Sequence, residues 1–122
     1  MHLFSSPDLL QFLVGEELGQ VCLDPFSLQF HFDSRRHITV EGRIEHVDEA
    51  GVVHSHDCQV RDGTPVYLHQ LLQHKVVSID VQPLCLSLIF DSGAILRIFT
   101  DEGQYECGQI YQAAMKDGLI IF

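Results

Sequence analysis

The segment HVDEAGVVHSHDC places His46, His54, His56, Asp57 and Cys58 within thirteen residues, in a chain that holds eight histidines. On a strand, His54, His56 and Cys58 at i, i+2 and i+4 share one face, and imidazole and thiolate are ligands for zinc and related transition metals. That spacing predicts a small metal site if the strand runs through Cys58. If the turn residues nearby break the strand, the same histidines are solvent-facing groups in a connection, because ligand type and count make a site only with geometry and outer support. A nucleophilic role for Cys58 or Cys107 would need a depressed thiol pKa and a base within reach, which spacing does not supply. The four cysteines, Cys22, Cys58, Cys85 and Cys107, form no C-x-x-C pair, which predicts free thiols. No G-x-S-x-G, H-E-x-x-H, Walker or G-x-G-x-x-G pattern occurs, so the expectation is a protein without catalytic residues or cofactor.

Charge points elsewhere. Seventeen acidic residues against seven basic ones give a formal charge of −10, which argues against nucleic acid or an anionic membrane surface as partner and favours a basic protein. The acids cluster at Glu16-Glu17, at Glu41, Glu45, Asp48 and Glu49, and at Asp101, Glu102 and Glu106, with Tyr105 and Tyr111 close to the last group. Acidic groups steer a basic partner, and aromatic side chains anchor it. The partner-binding set expected from sequence is therefore Glu41, Glu45, Asp48, Glu49, Asp101, Glu102, Tyr105, Glu106 and Tyr111; a solvated surface is the alternative. The start of the chain lacks a basic leader, and no apolar run reaches bilayer length, so a cytoplasmic protein is expected. The terminal GLIIF would make an adhesive edge strand, and hence a homo-oligomer, if left exposed.

The elements that must position these residues come from a duplication. PFSLQFHFDS, Pro25 to Ser34, shares five of ten residues with PLCLSLIFDS, Pro83 to Ser92, 58 positions later. Extended without a gap, the match pairs residues 6–40 with 64–98, and apolar positions replace apolar ones: Val21/Ile79, Phe30/Leu88, Ile38/Leu96, Val40/Ile98. Each copy predicts one helix followed by three strands. Ser6 and Thr64 are suitable N-caps before a proline at the first helical position. Leu10, Leu13 and Val14, matched by Leu68, Leu71 and Leu72, form a helical stripe. The period then falls to two, with turns at Asp33-Ser34 and at Asp91-Ser92-Gly93. In the first hairpin the alternate residues Gln29, His31, His37 and Glu41 suit water. Their counterparts Ser87, Ile89, Ile95 and Phe99 predict a central hairpin, or one covered by a helix or another chain. The connection 42–63 and the terminal segment 101–122 each predict an added hairpin or strand.

The run LSLIFDSGAILRI, with YEC shortly after it and a short apolar strand at the end, resembles a family of small, uncharacterised bacterial proteins of unknown function. Its members carry two copies of a strand, an L-x-L-x-F-D-x-G hairpin and a following strand, with a Y-E-x segment near the C-terminus. The resemblance covers residues 18–122. Arg35 stands where the glycine is usual, which predicts a looser or different turn in the first copy. Proteins of this type are similar in size and acidity to immunity proteins encoded beside bacterial toxins, and the resemblance implies neutralisation of a basic, nuclease-type toxin by occlusion. The expected fold is α+β, one domain over 1–122: two helix-plus-three-strand repeats forming a curved, mainly antiparallel sheet with short helices packed on it.

Overall fold

A computed structural model describes residues 4, 7–60, 65–100, 107–111 and 119–122, with the side chains of all of these except Leu9, Tyr111, Leu119 and Ile120. Helical structure in them is confined to single turns: α1 at Pro7–Leu10, a 3-10 turn at Gln11–Leu13 and another at Leu68–Leu71. The α+β expectation is thus overturned in favour of a mostly β fold. Both expected helices stop at matched places, where Val14 and Leu72 turn extended and the next residues, Gly15 and Gln73, take φ of +92° and +67°. Isolated helices this short have little intrinsic stability. Leu10, Leu13, Leu68 and Leu71 are nevertheless buried, because a single turn suffices to bring i and i+3 onto one side.

Among the described residues there are ten strands: β1 Leu18–Asp24, β2 Ser27–Phe32, β3 His37–Val40, β4 Arg43–Val47, β5 Val53–Asp57, β6 Val76–Gln82, β7 Cys85–Phe90, β8 Ile95–Phe99, β9 Gly108–Tyr111 and β10 Leu119–Ile121. Positions 58 apart adopt the same pairing. Leu18 faces Phe32 and Gln20 faces His31 across a bulge in the first copy; Val76 faces Phe90 and Ser78 faces Ile89 across the same bulge in the second. The hairpin turns also match, with Arg35 (φ +72°) at the position of Gly93 (φ +90°) and the Arg35 and Gly93 N–H groups donating to Phe32 O and Phe90 O. The looser turn expected around Arg35 is therefore not formed: the arginine accepts the left-handed conformation that glycine enters at no steric cost.

The two copies meet along a pseudo-twofold axis. Gly15 N donates to Val76 O, and its mate Gln73 N donates to Leu18 O; Leu18 N donates to His74 O, and its mate Val76 N donates to Glu16 O. Glu17 bridges Lys75 at the centre. Away from this junction the strands form two antiparallel sheets, not the single curved sheet expected. Sheet 1 has the order β1-β2-β3-β9-β10 and sheet 2 the order β6-β7-β8-β4-β5. Each three-strand meander is completed by the hairpin that follows the other copy, β9 pairing with β3 and β4 with β8.

Inward residues of both sheets form one core, including Phe30, Ile38, Ile44, Leu86, Leu88, Leu96, Ile98 and Ile110. The outward row Ile89, Ile95, Val47, Val53 runs across four strands of sheet 2 by direct cross-strand pairing. These neighbours leave Ile89 and Ile95 half-buried, and β7 and β8 lie inside sheet 2 between β6 and β4, the central hairpin that was one of the two expectations. At the end of the chain Phe122 is buried and stacks on Phe4, with ring centroids 4.7 Å apart. The terminal GLIIF is thus not wholly available to a second copy. No helix of the described residues is long and apolar enough to cross a membrane.

Candidate functional site

The β4–β5 hairpin gathers most of the residues with chemical potential. Its turn is built on Asp48, whose Oδ1 accepts the N–H groups of Ala50 (3.0 Å) and Val52 (2.9 Å) while Oδ2 lies 3.0 Å from His54 Nε2. These bonds, the one to His54 first, hold the Asp48 carboxyl below the usual carboxylate range. Behind the turn, His46 points inward, fully buried, with no hydrogen-bond partner at either ring nitrogen among the described residues. Its ring lies 5.7 Å from His54, which meets Tyr67 edge-on at 5.0 Å; Tyr67 in turn lies 6.5 Å from His69.

The metal spacing does not translate into a site. Strand β5 ends at Asp57, so His54 and His56 follow the strand while Cys58 leaves it, enters the core and donates its S–H to Val40 O at 3.5 Å. Burial, then the nearby Asp57 and Glu41 charges, push the Cys58 thiol up to about 11, which makes it a poor ligand and a poor nucleophile near neutral pH. Among the described residues no three His, Cys, Asp or Glu side chains are disposed to hold a metal ion. The nearest cluster instead runs from His46 through His54 to Tyr67 and His69. His46, named with that segment but not among its three expected ligands, lies two residues after Ile44, which places both on the same inward face.

The acidic set divides. Glu45 is not free to attract a partner: Arg43 NH1 donates to Oε2 at 3.4 Å and Arg97 NH1 to Oε1 at 3.3 Å. The Arg43 guanidinium also lies over Phe99, with Cζ 3.8 Å from the ring centroid. Asp48 is committed to its turn, as above. Glu41 and Glu49 are exposed. Asp101, Glu102, Tyr105 and Glu106 lie outside the described residues, and of Tyr111 the backbone alone is described, in β9.

Glu16 is the acid whose burial the sequence concealed. It is 8% exposed, its Oε1 accepts from Arg36 in an ion pair and its Oε2 accepts from Ser34 Oγ at 2.7 Å. Arg36, Arg43 and Arg97 are therefore each tied to an internal carboxylate, whereas Asp24, Asp33, Glu41, Glu49, Asp80 and Asp91 are exposed. Comparison with family models, curated proteins and solved structures finds no match to this chain.

Proposed function

We propose that this protein is an acidic binding protein that neutralises a basic protein partner by occlusion, acting in the cytoplasm as an immunity protein against a nuclease-type toxin. The observation that supports this reading is the disposition of charge. The formal charge is −10, and Arg36, Arg43 and Arg97 are each paired with a carboxylate of this chain, Glu16 or Glu45, so they do little to offset the exposed acids. Exposed carboxylates such as Glu41 and Glu49 then attract a cationic surface over several ångströms and speed its encounter. A nuclease is basic around its substrate groove, so an acidic protein of this size can compete with the phosphate backbone for that groove.

The test begins with the basic protein that the purified chain retains at low salt. Its nucleic-acid cleavage is then measured with this protein in excess. Loss of cleavage at one equivalent, with recovery when Glu41 and Glu49 are replaced by lysine, is the expected result. Full cleavage in the presence of excess protein defeats the proposal.

A further inference from the structure

The β4–β5 hairpin contains a group that the binding reading leaves unused. His46 is 0% exposed and neither ring nitrogen has a hydrogen-bond partner among the described residues. On β4 it faces Leu96 of β8 on one side and His54 of β5 on the other. The pseudo-twofold relation supplies its counterpart. Ile38 and Leu96 are equivalent; Ile38 faces Ile110 and Leu96 faces His46, so His46 stands where sheet 1 has Ile110. Both residues are fully buried. Since isoleucine satisfies this place in one sheet, packing does not require an imidazole in the other.

A proton on this ring would be badly placed. Among the described residues, the titratable groups that act on it are His54 from β5, Asp48 from the turn and His69 from the second 3-10 turn, with Tyr67 packed against His54 and His69, while β8 presents apolar Leu96. Asp48 is already engaged by Ala50, Val52 and His54. Burial first, then the His54 ring, hold His46 below its ordinary pKa, with His69 adding to them and Asp48 opposing. A buried cation without an acceptor is among the costliest arrangements in a fold. The hairpin, moreover, is the outer unit of sheet 2 and pairs with the meander through Ile44–Val47 against Ile95–Ile98.

We infer that His46 is an acid-operated release for the β4–β5 hairpin: neutral, the ring packs in place of an isoleucine; protonated, it leaves the core, and the hairpin separates from β8. Separation uncovers the β8 edge of sheet 2 and undoes one of the two hairpin exchanges, leaving β9 on β3. Histidines buried in this way flip interfaces at about pH 5–6.

Amide hydrogen exchange on the full chain tests this, read by NMR as protection factors at about pH 7.5 and 5.5 so that the intrinsic pH dependence of exchange cancels. Amides of Arg43–Val47 and their β8 partners should lose at least about tenfold protection on acidification, β1 and β2 should not, and His46→Ile should abolish the difference. An equal loss in both sheets, or an undiminished hairpin loss in folded His46→Ile, overturns the inference. Should His46→Ile fail to fold, the wild-type profile still decides, because loss confined to the hairpin and β8 supports the release and evenly distributed loss refutes it.

Discussion

Sheets 1 and 2 share one ladder and fill it differently. Gly108 in β9 and Ile44 in β4 are equivalent, through their pairing with Val40 and Ile98. In sheet 1 the space is taken by Phe122, whose ring atoms would lie 2.4 Å from a Cβ added at Gly108; in sheet 2 Ile44 fills it directly. Two residues further along, where sheet 1 has Ile110, sheet 2 has His46. Outside, the row His31–His37 of sheet 1, with rings stacked at 5.0 Å, corresponds to Ile89–Ile95 of sheet 2. At the junction, the first copy's buried Glu16, bonded to Arg36 and Ser34, is replaced by an exposed His74–Asp91 pair, 2.7 Å apart. The difference teaches that inward apolar spacing and turn geometry hold the backbone, while chemistry is free to diverge at the remaining positions.

The comparison breaks most severely at the end of sheet 1. Phe122→Ala should cost about 3–5 kcal/mol in urea unfolding, and Ile44→Ala about 2–5 kcal/mol in sheet 2, as each empties a filled core position. Gly108→Ala should also destabilise, by about 3 kcal/mol, because its Cβ would meet Thr39 O at 2.2 Å as well as the Phe122 ring. The junction comes next. Glu16→Gln should cost about 1–3 kcal/mol by leaving Arg36 without its carboxylate, whereas His74→Gln should leave the urea midpoint almost unmoved, its pair being open to water.

Acid sharpens the contrast between His46 and Ile110. His46 and His37 titrate below the ordinary 6.5 in the folded chain, each chiefly through burial. The unfolded chain binds more protons in the window between the folded value and 6.5, so stability is complete above pH 6.5 and falls as pH drops through that window. Asp48 and Asp91, held low by His54 and His74, act with the same sign at lower pH. The urea midpoint should therefore fall between about pH 7.5 and 5.5. His46→Ile should shrink that fall, and Ile110→His should enlarge it. The smallest effect is expected at the turn, where Arg35→Gly should raise stability by about 0.5–1 kcal/mol by relieving the φ of +72°.

Much of the strand framework is legible in the residues. The alternation of Leu28, Phe30 and Phe32, then Ile38 and Val40, marks β2 and β3 and their shared inner face, and the copy at Leu86 to Ile98 marks β7 and β8. The helices were misread because Leu10, Leu13 and Val14 satisfy a helical stripe, while a 3-10 turn serves the first two equally well and the Gly15 junction claims the third. The exchange of hairpins is not legible: β4 could pair with β3 or β8, and the choice depends on contacts between residues distant in sequence, such as Ile44 with Ile98, that local pattern does not encode. For the candidate site, His54 and His56 announce themselves by spacing. The reach of Arg97 on β8 to Glu45 on β4, strands that become neighbours in the fold alone, does not.

The account rests on that exchange, and cross-strand proton contacts measured by NMR test it most directly. It predicts contacts of Ile44 and His46 with Ile98 and Leu96, and of Ile38 and Thr39 with Ile110 and Gln109. Contacts of β4 with β3 in place of β8 would return each hairpin to its own copy, and would contradict both the equivalence of His46 with Ile110 and the release built on it.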